Sequence, residues 1–133
     1  LGCFHTAADE AVVQEGGRIV KTLGDEIMFV ANSPEVGIDI ALRLAAGFQD
    51  GREHIDLHVG LAWGAVVRRD GDYYGKTVNI ASRIADAAPP ASGLVDTGLY
   101  QTLQARDRLT ALHFSPATTP DLPPIEAWVV SHT

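Results

Sequence analysis

Positive charge is scarce in this chain of 133 residues, in which 10 Lys and Arg stand against 17 Asp and Glu for a formal net charge of −7. A phosphate backbone or an anionic bilayer is bound through positive charge, so we expect no nucleic-acid partner and no direct membrane contact. The chain also lacks any run of the roughly 18 apolar residues that a membrane-spanning helix requires. Its one cysteine, Cys3, excludes an internal disulfide and fits a reducing, cytoplasmic location.

The composition that remains is that of one globular domain, with 46% hydrophobic and 20% charged residues. Residues 1–133 are enough for a single domain that buries a core. The chain begins with Leu1 rather than Met. We therefore expect this domain to be incomplete at its N-terminus.

Hydrophobic periodicity along the chain alternates between helix and strand patterns. It predicts helices over 3–15, 76–88 and 98–106, and strands over 18–23, 26–31, 55–67, 94–96, 109–115 and 125–130. A further helix is predicted with Ser33 as its N-cap, Pro34 as its first residue and an apolar face that extends to Phe48. These elements indicate an α+β fold in which an antiparallel-rich sheet is covered by helices. In the strand over 55–67, large apolar residues alternate with a nearly bare face that carries Gly60, Ala62 and Gly64. A helix, a ligand or a partner chain is expected to approach that face closely.

Two short segments carry the residues with chemical potential. Gly24 and Asp25 lie between two strands, where a carboxylate could bind a hard cation or could simply favour the turn. Strand parity puts Lys21 on the same face as Ile19, which is unusual for a lysine. It could extend to solvent at an edge or point into a site.

The predicted helix over 76–88 carries a polar stripe formed by Asn79, Arg83 and Asp86. An ordinary solvated face explains this stripe, although the planar guanidinium of Arg83 would also suit phosphate recognition. Just before the helix, Asp72 is most simply a turn residue, and Asp70 is an equally plain competitor for that position.

Three segments together resemble class III nucleotide cyclase catalytic domains of the adenylate cyclase type. Their sequences are GGRIVKTLGDEIM (16–28), HVGLAWG (58–64) and GDYYGKTVNIASRIAD (71–86). They occur in the family's order and spacing, and the resemblance covers nearly the whole chain. It implies a ferredoxin-like, palm-type cyclase fold that lacks its N-terminal first strand.

The resemblance also implies an activity in cyclic-nucleotide signalling, the conversion of ATP to 3′,5′-cyclic AMP and pyrophosphate at a homodimer interface. Asp25 matches an aspartate that binds Mg²⁺ or Mn²⁺. Lys21 and Asp72 match the pair that reads the purine. Asn79 and Arg83 match the pair that orients the ribose and stabilises the reacting phosphate. In the family the metal ligands of one protomer face the purine-reading residues of the other.

The purine-reading pair favours adenine over guanine on chemical grounds. Lysine only donates hydrogen bonds and an ionised aspartate only accepts them. Adenine offers an acceptor at N1 and a donor at N6, which Lys21 and Asp72 complement. Guanine reverses both groups, so we expect ATP rather than GTP as substrate.

Two family features have no counterpart in this chain. No Phe-x-Asp motif supplies the second metal aspartate, and no lysine follows Lys76 to bind the triphosphate. Candidates for that role are Arg68, Arg69, Arg106 and Arg108, of which Arg68 and Arg69 are better placed, just before the Asp72 turn. The alternative function is therefore a non-catalytic cyclase-homology module that dimerises and binds nucleotide. A third interpretation, a diguanylate cyclase, follows from the run 24–26, and the helix that carries Asn79 and Arg83 argues against it.

Overall fold

A computed structural model describes residues 2–23, 26–50, 52–89, 91–103, 109–114 and 125–132. Its helices are α1 (Gly2–Gln14), α2 (Pro34–Ala45), α3 (Lys76–Ala87) and α4 (Thr97–Leu103). Its strands are β1 (Arg18–Leu23), β2 (Glu26–Val30), β3 (Phe48–Asp50), β4 (Glu53–Ile55), β5 (His58–Leu61), β6 (Val67–Arg69), β7 (Asp72–Tyr74), β8 (Ser92–Asp96), β9 (Leu109–Phe114) and β10 (Ala127–His132). Within these ranges no helix is both long and apolar enough to cross a bilayer.

The largest sheet has four strands in the order β5-β8-β10-β9. β5 and β8 run parallel, whereas β10 runs antiparallel to both β8 and β9. Three antiparallel pairs, β1–β2, β3–β4 and β6–β7, form separate two-stranded sheets among the described residues. The predicted α+β, palm-type architecture is confirmed.

Helices cover both faces of the four-stranded sheet. On one face α2 and α4 bury Ile38 and Leu99 against Val95 of β8. On the other face α3 buries Ile84 against Leu94, the neighbouring residue of β8. Alternate residues of one strand therefore enter two different cores, as the twofold period of a strand requires. A third core joins α1, α2 and β5 with the β1–β2 hairpin.

The bare face of β5 is confirmed as a site of close approach. A Cβ placed on Gly60 would lie 2.6 Å from the carbonyl oxygen of Ala81 and 2.8 Å from the Cα of Ala85, both in the backbone of α3. Glycine at this position lets the helix pack directly on the strand. The strand thereby fixes the height of α3 above the sheet.

Two sequence predictions about element boundaries are wrong. The alternating segment 55–67 is not one strand, because Ile55 ends β4, β5 occupies only His58–Leu61, and Val67 begins β6. Phe48 belongs to β3 rather than to the apolar face of α2. The helix stops earlier because Gly47 adopts a φ of 78° and donates its N–H to the carbonyl of Leu44.

Candidate active site

The β1–β2 hairpin turns Lys21 away from the core. Ile19 pairs with Phe29 and Lys21 pairs with Met28, so two residues of β1 span one residue of β2 in a β-bulge at Val20. Ile19 and Phe29 pack against the core, and Met28 lies on the opposite face of β2. The parity prediction that put Lys21 with Ile19 is wrong, because the bulge reverses the alternation.

Lys21 instead reaches Asp72 at the start of β7. Its Nζ donates to Oδ2 at 2.8 Å, and both side chains keep partial contact with solvent. This hydrogen bond raises the pKa of the Lys21 ammonium and lowers the pKa of the Asp72 carboxyl, so both groups are charged at neutral pH. The two residues that the resemblance assigns to purine reading, 51 positions apart, therefore form one ion pair.

Asp72 owes its position to the turn before it. Asp70 and Gly71 have φ angles of 53° and 79°, the combination of a type I′ hairpin turn. The interpretation of Asp72 as a turn residue is wrong, since Asp72 begins β7 opposite Arg69. Asp70 takes the turn position because aspartate tolerates a positive φ.

Tyr73 contacts Asp72 and two arginines beside the ion pair, and the sequence did not suggest these contacts. Its backbone N–H donates to Oδ1 of Asp72 at 2.7 Å. Its hydroxyl accepts a hydrogen bond from the guanidinium of Arg18. The guanidinium carbons of Arg18 and Arg68 lie 5.6 Å and 6.0 Å from the centre of the ring. Arg18 and Lys21 lie on the same face of β1 because of the bulge at Val20, and no sequence pattern indicates that bulge.

Helix α3 follows directly and carries the other two predicted site residues. Asn79 is exposed and Arg83, one turn later, is half-buried. Ile84 lies on the opposite side of the helix and is fully buried. Gly75 precedes the helix with a φ of 124°, which favours glycine. The strand β7 and the polar stripe of α3 are therefore joined by one residue.

The predicted metal ligand Asp25 lies outside the described residues. The register brings Leu23 opposite Glu26, which confirms that β1 and β2 pair as an antiparallel hairpin. In the part of the chain that the structure describes, no group of three or more His, Cys, Asp and Glu residues could hold a metal ion.

Asp96 links the start of α4 to the segment that follows β5. This residue was not identified from the sequence. Its Oδ1 accepts from the backbone N–H of Leu99 at 2.9 Å, at the start of α4, and from that of Trp63 at 3.2 Å. Burial raises the pKa of this carboxyl, partly offset by the backbone hydrogen bonds. An Asp just before a helix is a known capping signal, but its second partner across the sheet could not be inferred.

No protein-family model matches the chain. It is 41% identical over 100 residues to a Streptomyces coelicolor protein named adenylate cyclase, covering 75% of this chain and 26% of that protein. It is 42% identical over 100 residues to an adenylate cyclase of Streptomyces griseus, covering 75% of this chain and 25% of that protein. The chain spans about a quarter of the length of the curated relatives it matches.

The fold is also similar to a solved structure. An adenylate/guanylate cyclase/hydrolase from Silicibacter pomeroyi superposes with a TM-score of 0.80 and 26% identity, over 95% of this chain and 79% of that one. The three sequence motifs, the curated relatives and this fold agree. The chain belongs to the class III nucleotide cyclase family.

Proposed function

We propose that this chain is the catalytic domain of an adenylate cyclase, which converts ATP to 3′,5′-cyclic AMP and pyrophosphate. The observation that supports it best is the ion pair of Lys21 and Asp72, with 2.8 Å between a donor-only cation and an acceptor-only carboxylate. A donor directly beside an acceptor is what the N1 and N6 edge of adenine needs. Both groups come from one protomer.

Lys21 and Asp72 keep free hydrogen-bonding positions after they pair with each other. An ammonium has three N–H donors, and Lys21 gives one to Asp72. A carboxylate oxygen has two acceptor positions, so Oδ2 of Asp72 can accept from a second donor. Lys21 can therefore donate to N1 while Asp72 accepts from the N6 amine. Guanine would set donor against donor, which costs about 1–3 kcal/mol for each buried unsatisfied group.

Asn79 and Arg83 are proposed to act on the sugar and the phosphate. They lie one turn apart on α3, whose start is tied to β6–β7 by the single residue Gly75. The Asn79 amide can both donate to and accept from ribose oxygens. Arg83 offers a planar, permanently charged fork, which suits the negative charge that develops at the α-phosphate.

Adenylate cyclases require a divalent cation, and we propose Mg²⁺ or Mn²⁺ with Asp25 as the ligand. A bound divalent cation would neutralise triphosphate charge.

The site is proposed to be completed by a second copy of the chain. From residue 63 to residue 71 every side chain is exposed, and this segment with β7 presents large apolar residues to solvent. Their exposed fractions are 41% for Trp63, 43% for Val66, 56% for Val67 and 51% for Tyr74. Contiguous exposed apolar residues mark interaction surfaces.

Residues 1–133 are proposed to form one domain, active in the cytoplasm.

The test is cyclic AMP formation from ATP and Mn²⁺, with GTP as a competing substrate and Asp25→Ala as the matched variant. We expect product from ATP, a much lower rate with GTP, and loss of product in Asp25→Ala while the dimer persists. Activity that survives Asp25→Ala refutes the metal ligand. Nucleotide binding by a folded dimer that forms no product favours the non-catalytic module.

A further inference from the structure

Arg18 and Tyr73 form a second link between β1 and β7. Neither residue has a role in the proposed reaction. Arg18 begins β1 and donates from Nη2 to the hydroxyl of Tyr73, the residue after Asp72. The two strands belong to different sheets. Side-chain contacts, Arg18 to Tyr73 and Lys21 to Asp72, therefore hold β7 beside β1.

The bulge at Val20 makes this double link possible. In a regular strand, residues three positions apart point to opposite faces. Here Arg18 pairs with Val30 and Lys21 pairs with Met28, which share one face of β2. Arg18 and Lys21 therefore share the face that looks away from the core. Without the extra residue, one of the two contacts would be lost.

Tyr73 also fixes the Asp72 carboxylate itself. Its backbone N–H donates to Oδ1 at 2.7 Å, while Lys21 donates to Oδ2 at 2.8 Å. One oxygen is thus held by the main chain and the other lies beside the lysine. Rotation of the carboxylate would break both hydrogen bonds. The guanidinium of Arg18 holds the far end of the same residue through its hydroxyl.

We propose that Arg18, acting through the hydroxyl of Tyr73, is a positioning residue that orients the Asp72 carboxylate for purine selection. The selection part of this inference rests on the proposed function. This role requires no contact between either residue and the base. Each sets the geometry of the acceptor that distinguishes the N6 amine of adenine from the O6 of guanine.

The decisive variant is Tyr73→Phe, which removes the hydroxyl but retains the ring and the backbone N–H. The matched control is Tyr100→Phe, which removes the same group on α4, where the ring stacks on Trp128 on the face of the sheet opposite to α3. Arg18→Gln removes the other side of the contact. For each protein we would measure the pKa of the Asp72 carboxyl by NMR and the affinities for ATP and GTP without turnover.

Tyr73→Phe and Arg18→Gln should raise the Asp72 pKa towards its ordinary value and reduce the ratio of ATP to GTP affinity roughly fivefold, the scale of one hydrogen bond. Tyr100→Phe should leave both quantities unchanged. An Asp72 pKa that is equal in Tyr73→Phe and Tyr100→Phe overturns the positioning role. A wild-type chain without preference for ATP overturns the proposed function instead, and the carboxyl titration still decides the positioning.

Discussion

Gly60→Ala tests whether the β5 backbone sets the position of α3. The new Cβ would lie 2.6 Å from the Ala81 carbonyl oxygen and 2.8 Å from the Ala85 Cα. Both atoms are helix backbone and cannot rotate away. The backbone nitrogen of Ala85 would lie closer still, so restoring an ordinary van der Waals distance requires α3 to move by about 1 Å.

The expected cost of that movement follows from the tight packing of the interior. Overfilling a packed site costs typically about 1–3 kcal/mol, reduced slightly because alanine restricts the unfolded chain more than glycine does. With a urea dependence of roughly 2 kcal/mol per molar, the unfolding midpoint should fall by about 0.5–1.5 M. Activity should fall as well, since α3 carries Asn79 and Arg83.

The neighbouring strand provides a matched control. Gly93 pairs with Val59 of β5, and a Cβ there would lie 3.6 Å from its nearest neighbour, the Cβ of Ala41. Gly93→Ala should therefore leave stability unchanged or raise it by about 0.4–1 kcal/mol. Equal urea midpoints for Gly60→Ala and Gly93→Ala would show that α3 does not rest on the bare face of β5.

Three further predictions concern carboxylates. Lys21 lowers the pKa of Asp72, so their pair stabilises the fold above the ordinary carboxyl pKa, and this contribution is lost as the pH falls through the lowered value. Asp72→Asn should flatten the acid side of a curve of unfolding free energy against pH, and an unchanged curve contradicts the pair's contribution. Asp96→Ala should cost about 1 kcal/mol by removing the acceptor for two N–H groups, measured by urea unfolding. Because burial raises the Asp96 pKa, ionisation opposes folding as the pH rises through that value. Asp96→Asn keeps an acceptor and should lose less stability than the wild type over that range; equal loss in both proteins would refute the effect of burial.

Local pattern was sufficient for much of the fold. The start of α2 was predicted, and Ser33 accepts the N–H of Val36 at 3.2 Å there. The bare face of β5 was also predicted, because a stripe of small residues has few physical explanations. These features depend on neighbours within a few residues, which a sequence reveals directly.

Pairing partners could not be predicted in the same way. The alternation over 55–67 is continuous, yet Ile55 pairs with β3 while His58–Leu61 pairs with β8. Both sections have one apolar face, so a twofold period describes each of them equally well. Which sheet a strand joins depends on residues far away in the chain. Periodicity contains no information about that choice.

The candidate site shows the same limit at the scale of one residue. Motif resemblance identified Lys21 and Asp72, but strand parity put Lys21 on the face of Ile19, because parity counts every residue of β1. A bulge adds a residue that the partner strand does not match, and it reverses the direction of each later side chain. The extra residue, Val20, resembles its apolar neighbours and gives no signal. It nevertheless allows Ile19 to enter the core while Arg18 and Lys21 together face β7. The chemistry of the pair thus follows from residue types, and its assembly follows from a backbone irregularity that only the folded chain reveals.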